Sequence, residues 1–219
     1  VEMYSYKRLV PTVVYVSDCS DQDNIRYAFG YEATRKIKDD NYCPKASCFM
    51  EIKRWTSNLD QYEDVQDQYG NKATVERKEI IAEYLRYIIR AAENQFKCKF
   101  KNVHISAPVK LKDKVLDFYE EILAGFGYTL EKKNAIDEGI AVLYSIINNQ
   151  IKDNNYENGR SEKALIIDCG GGTSDLASCE YVIDKDEDGI INLDVNTEYM
   201  NGDVNFGGNN LTYRIMQYM

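Results

Sequence analysis

The residues best equipped for chemistry form one run, Ile166-Ile167-Asp168-Cys169-Gly170-Gly171-Gly172-Thr173-Ser174-Asp175. Three successive glycines let a backbone come close to a ligand and adopt conformations that a side chain forbids. Their N–H groups can then hold phosphate oxygens. Asp168, at the end of an apolar stretch, is placed to hold a water on a magnesium ion or to orient an attacking water, and Thr173 offers a hydroxyl to a terminal phosphate. No Gly-Lys-Ser/Thr follows and the next segment has strand character, so the geometry is a hairpin turn and not a Walker loop. A ligand-free glycine turn is the plainer reading, but it asks for neither Asp168 nor the Thr173-Ser174-Asp175 run.

Other candidate sites carry less. Asp184-Lys185-Asp186-Glu187-Asp188-Gly189 imitates the start of an EF-hand loop, yet its twelfth position is Val195 and not the bidentate glutamate that calcium needs. A solvated Asp-Gly hairpin turn is expected there. The six cysteines are scattered and the only histidine is His104, which predicts reduced thiols and no zinc site. The balance of 27 Lys plus Arg against 36 Asp plus Glu repels nucleic acid and anionic lipid. It does not exclude ATP, because backbone amides and a divalent cation can hold phosphate.

Strands and helices must position the glycine run. Leu9 to Val16 follows Lys7 and Arg8 in the order of a signal peptide, but Pro11 interrupts it and Asp18, Asp21 and Asp23 follow, so a strand over Val10 to Val16 is expected. No apolar run approaches the roughly 18 residues of a membrane span, and a cytoplasmic chain is the expectation. Further on, the pattern predicts a short strand over Ile25 to Phe29, helices over Tyr31 to Ile37 and Ser47 to Trp55, and a long helix from Val75 to Phe96 capped by Thr74. Strand Asn102 to Ser106, helix Lys112 to Ala124, strand Tyr128 to Leu130 and helix Glu138 to Ile147 alternate, which implies a largely parallel sheet. After a polar loop over Asn148 to Glu162, strands Lys163 to Asp168, Leu176 to Ile183 and Ile190 to Tyr199 are close enough for antiparallel hairpins. A helix follows from Asn210.

The glycine run resembles the second phosphate loop of the actin, sugar kinase and heat-shock chaperone superfamily: an Asp, a short glycine run, then Thr. Other segments match in order. Asn102 to Asp113, NVHISAPVKLKD, is similar to a chaperone strand that ends in Val-Pro before a helix, and Asn134 to Ser145, NAIDEGIAVLYS, to a connecting helix with the pattern Asn-Glu-Pro-Thr-Ala-Ala. Gly202-Asp203 and Gly207-Gly208 match the family's Gly-Asp, three residues, Gly-Gly. Pro11-Thr12 in its strand, Gly30 to Ala33, and Ile52 to Trp55, IKRW, resemble the first lobe of DnaK-type heat-shock chaperones.

The resemblance implies an α/β chain with a partial actin-like ATPase (ribonuclease H-like) fold, mixed sheets flanked by helices. Its parts would be a first-lobe small subdomain over 1–100, the rest of the first-lobe core over 101–160, and the start of the second-lobe core over 161–219. It implies ATP or ADP with Mg2+ and slow hydrolysis coupled to lobe closure. Lys53 would meet the terminal phosphate or attacking water, Asp168 would stand nearest the reaction, Glu138 would act through water on the metal, and Thr173 would touch phosphate. Gly170, Gly171 and Gly172 would supply amides, and Gly207 and Gly208 would shape a nearby turn. Co-chaperones and client proteins would be partners of the intact parent. Lys53 also reads as a surface lysine, and Glu138 as a helix-N-terminal carboxylate.

Gly139 stands where the family has Pro and Ile140 where it has Thr, which predicts a looser start to that helix. No Asp-Leu-Gly-Thr-Thr loop precedes Val1, and no adenosine-binding segment follows Met219, so a fragment is expected, inactive alone because phosphoryl transfer needs both lobes. An actin-like cytoskeletal ATPase and a degenerate partner-binding lobe remain as alternatives.

Overall fold

The computed structural model describes residues 10–107, 112–203 and 206–218. Leu9, Pro108 to Leu111 and Met219, which entered the sequence expectations, lie outside them. The described residues are mixed α/β with small sheets and divide into two units, Val1–Lys101 and Asn102–Met219.

In the first unit, β1 (Val14–Asp18) is the middle strand of an antiparallel sheet, between β2 (Arg26–Phe29) and β3 (Cys48–Phe49). Val14, Tyr15 and Val16 are at most 1% exposed, as suits a central strand rich in β-branched and aromatic residues. Helix α1 (Gly30–Asp39) sets Ala33 and Ile37, one turn apart, into the same core. The expected helix over Ser47 to Trp55 is instead β3 followed by a 3-10 helix, Ile52–Ser57. Residues 47 to 49 are drawn to the open edge of β1: Val16 N–H donates to the Ser47 carbonyl at 3.0 Å, and Cys48 and Phe49 pair with Tyr15 and Val14.

A hairpin of β4 (Tyr62–Gln66) and β5 (Lys72–Glu76) follows, unforeseen in the sequence. Thr74 therefore lies in a strand, and α2 (Arg77–Phe96) starts after Glu76, which makes no side-chain capping bond. The alternation of buried Ala73 and Val75 with exposed neighbours overrides the helical pattern there. The hairpin's turn is closed by Asp67, which is fully buried. On its outer edge the Gln22 carboxamide makes two bonds to the Thr74 backbone, donating to the carbonyl at 2.7 Å and accepting from the N–H at 3.1 Å.

In the second unit the expected parallel pairing is present as two short ladders. The strand predicted over 102 to 106 is split into β6 (Asn102–Val103) and β7 (Ser106–Ala107); β6 pairs with β8 (Thr129–Leu130), and β7 with β9 (Ile136–Asp137). Between them lies α3 (Lys112–Gly125), closed by Gly127 at φ +83°. Helix α4 (Glu138–Lys152) runs five residues beyond its expected end, because Ile147 and Ile151 still pack on the following sheet. That sheet is the antiparallel meander of β10 (Ser161–Cys169), β11 (Ser174–Lys185) and β12 (Ile191–Asp203), which leads to α5 (Gly208–Gln217).

One face of the meander is the core of this unit. Ile166 from β10 and Ala177, Cys179, Tyr181 and Ile183 from β11 meet Ile140, Leu143 and Ile147 of α4. Leu143 and Ile147, each 1% exposed, contribute about 2 kcal/mol apiece by burial. The Asp184–Gly189 run closes the β11–β12 hairpin, with Asp184 and Lys185 still paired in β11 and Asp186 accepting the Ile190 N–H at 2.8 Å through its side chain.

Candidate functional site

The glycine run joins β10 to β11 as expected, with Asp168 opposite Asp175 and Cys169 opposite Ser174. Gly170 N–H donates to the Thr173 carbonyl at 2.9 Å and closes the turn, so of the three amides expected for a ligand this one is already used. The Gly170 carbonyl accepts the Gly208 N–H at 2.8 Å, and the Gly171 carbonyl accepts the Asn209 N–H at 2.9 Å. These are the first amides of α5, which would otherwise lack intrahelical partners. In a planar trans peptide the carbonyl and the next N–H point to opposite sides. With both carbonyls held by α5, the N–H groups of Gly171 and Gly172 point away from it, and neither has an acceptor among the described residues.

Gly207 and Gly208 fit this arrangement closely. Gly207 caps α5, its N–H donating to the Asn210 side chain at 3.0 Å, and a Cβ on it would sit 2.6 Å from the Gly171 carbonyl. Glycine is thus needed there for close approach. Neither Gly170 nor Gly171 has a left-handed φ, so the conformational freedom expected of them is not what the turn uses.

Residues paired across antiparallel strands share a face. Asp168 and Asp175 therefore lie on the same side as Ile166 and Ala177, the side covered by α4. The start of α4 sits on that neighbouring pair: a Cβ on Gly139 would be 3.2 Å from the Ala177 Cβ and 3.9 Å from Ile166 Cγ2. Asp168 and Asp175 are thus the next pair beyond the helix end, toward the glycine turn. Asp175 is 5% and Thr173 9% exposed, and Asp168 is half-buried. Two carboxylates directly opposite across a ladder repel, an arrangement that favours a nearby cation.

Glu138 is the first residue of α4, as expected, at this same end of the sheet. Its carboxylate, after burial itself, helps push up the Tyr119 phenol on α3. The expected loosening at Gly139 does not occur. Asp137, 4% exposed, accepts the Gly139 N–H at 2.9 Å and caps the helix, and glycine rather than proline leaves that N–H in place to donate. Asp137 was not singled out in the sequence, and Asp175 entered only as part of the Thr173-Ser174-Asp175 run, with no role of its own. The period-2 burial of β11 was the available signal for Asp175, and an acid one residue before a helical run for Asp137.

Lys53 belongs to the first unit, exposed in the 3-10 helix, with its carbonyl accepting from the Thr56 hydroxyl at 2.9 Å. The second unit gathers Glu138, Asp168, Gly170, Gly171, Gly172, Thr173, Gly207 and Gly208. It holds ten Lys plus Arg against twenty Asp plus Glu, so an anion bound there depends on backbone donors or a cation. Among the described residues no three His, Cys, Asp or Glu side chains converge on a direct metal site. The six cysteines are all thiols, and no described helix is long and apolar enough to cross a membrane. No protein-family model matches this chain, and no curated protein matches it.

Proposed function

We propose that this chain carries part of the nucleotide-binding domain of a DnaK-type, actin-like ATPase, binding ATP or ADP with Mg2+ in the second unit and, in the intact protein, hydrolysing ATP slowly as its lobes close. One observation carries the reading: α5 takes the Gly170 and Gly171 carbonyls, and the Gly171 and Gly172 amides, on the turn that follows the Asp168–Asp175 pair, have no acceptor among the described residues. Paired backbone N–H groups of this kind suit phosphate oxygens.

The residues present fit the implied groups. Gly171 and Gly172 would hold phosphate oxygens, with the Thr173 hydroxyl beside them. Magnesium, when bound, would neutralise charge developing on the phosphates. Asp168 and Glu138 would hold water on that ion, and Asp168 would also orient the attacking water. Asp137 fixes the start of α4 and hence the place of Glu138. On this reading the protein works in the cytoplasm, with co-chaperones and clients as partners of the intact parent.

Calorimetry of the intact protein with ATP and magnesium tests it. Binding is expected, and Asp168→Asn should abolish its magnesium dependence with little change in fold stability. An intact, folded protein that gives no heat with nucleotide would leave a partner-binding lobe as the better account.

A further inference from the structure

The sequence contains two Asn-Gly pairs, Asn158-Gly159 and Asn201-Gly202, both in the second unit, and the fold treats them differently. At the first, the Asn158 carboxamide is fixed across the chain: its oxygen accepts the Lys185 N–H at 2.5 Å and its nitrogen donates to the Lys185 carbonyl at 3.2 Å. The Gly159 N–H is committed as well, donating to the Ile183 carbonyl at 2.9 Å. At the second, the Asn201 oxygen accepts the N–H of the very next residue, Gly202, at 2.8 Å, and its nitrogen donates to the Tyr199 hydroxyl at 2.8 Å. Asn201 is exposed.

We propose that Asn201-Gly202 is a site of spontaneous deamidation and isoaspartate formation, and that Asn158-Gly159 is protected. The backbone nitrogen of Gly202, losing its proton to water or base, attacks Asn201 Cγ. A C–N bond forms, the Cγ–NH2 bond breaks and ammonia leaves, giving a five-membered succinimide. Water then opens the ring at either carbonyl, giving aspartate or isoaspartate with no oxidant or cofactor. The Gly202 nitrogen lies 2.8 Å from Asn201 Oδ1, so rotation of the exposed Asn201 carboxamide is enough to present Cγ to it, and such proximity lowers the barrier. Glycine at the second position removes the Cβ that would hinder attack.

The packing explains why the labile pair persists. A Cβ at position 202 would lie 2.6 Å from Asp175 Oδ1 and 3.2 Å from the Ser174 carbonyl. A side chain at 202 would have to displace the buried Asp175 carboxylate, so the strand favours glycine opposite Asp175. An isoaspartate there adds a methylene to the backbone of β12 beside that contact, so the modification would loosen the ladder next to the glycine turn. The proposal is independent of the nucleotide reading.

The test is to hold the whole chain in mildly alkaline buffer, sample it over days, and map peptides by mass spectrometry and isoaspartate methylation. A synthetic peptide spanning Tyr199 to Asp203 runs alongside. Asn201 is expected to react within about tenfold of the peptide, and Asn158 at least about tenfold more slowly than Asn201, a barrier difference near 1.4 kcal/mol. Asn201→Gln should remove the modification at that site while the chain stays folded. Equal rates at Asn158 and Asn201, or an Asn201 left intact after the peptide has fully reacted, would overturn the proposal.

Discussion

Two hairpin turns in this protein use their polar groups in opposite ways. The turn of β4 and β5 is closed on itself: Asp67 Oδ1 accepts from Tyr69 N–H and Asn71 N–H, and Oδ2 from Cys19 N–H and the Asn71 carboxamide, at 2.8 to 3.1 Å. The turn of β10 and β11 gives the Gly170 and Gly171 carbonyls to α5 and leaves the Gly171 and Gly172 amides without an acceptor among the described residues. The first is built for rigidity alone. The second spends a neighbouring helix to hold a backbone whose donors serve nothing within the described residues, and that asymmetry separates a structural turn from a candidate binding turn.

The largest effect is expected from Asp67→Asn. An amide offers one acceptor oxygen where the carboxylate offers two, so buried donors of the first turn lose partners. Thermal melting followed by the fluorescence of Trp55, the only tryptophan and a member of this unit, should show the greatest fall among the variants considered. Burial would raise the Asp67 carboxyl, but the hydrogen bonds from Asn71, Cys19 and Tyr69 outweigh it and hold it below its ordinary value. A depressed carboxyl contributes its stability above the ordinary carboxylate range and loses it as pH falls through the folded value. The variant should therefore flatten the acid limb of stability against pH.

Gly207→Ala comes next. Its methyl must displace the Gly171 carbonyl, costing about 2–3 kcal/mol, readable in urea unfolding and in faster hydrogen exchange at Gly208 and Asn209. Asp137→Ala should cost about 1 kcal/mol through loss of the α4 cap, while Asp137→Asn, which keeps an acceptor oxygen for Gly139, should recover most of it.

The smallest change sharpens the comparison most. A Cβ on Gly171 would meet Asn209 atoms no closer than 3.5 Å, so Gly171→Ala should leave stability within about 0.5 kcal/mol while weakening phosphate binding measured by titration. A stability loss comparable to that of Gly207→Ala would mean that the glycine serves the fold after all.

The second turn was legible in the sequence because its signal is local: an apolar strand, a glycine run and an alternating strand are contiguous. The long helices were legible too, since Ile80, Ile81 and Tyr84 recur at helical spacing and are buried. The first turn was not, because Asp67 draws its partners from Cys19 as well as from its own hairpin, and nothing near residue 67 announces a contact 48 positions away. The same holds for β3, which exists only because β1 has an open edge. Asp137, and the buried place of Asp175, were not legible because they depend on strand register and on which face α4 covers.

Gln22 has a consequence for how this protein behaves among its own kind. By pairing with both backbone groups of Thr74, one side chain stands in for a further strand and leaves no foothold there for another molecule to zip on. A loop residue with no part in the core thus guards the sheet edge at Thr74.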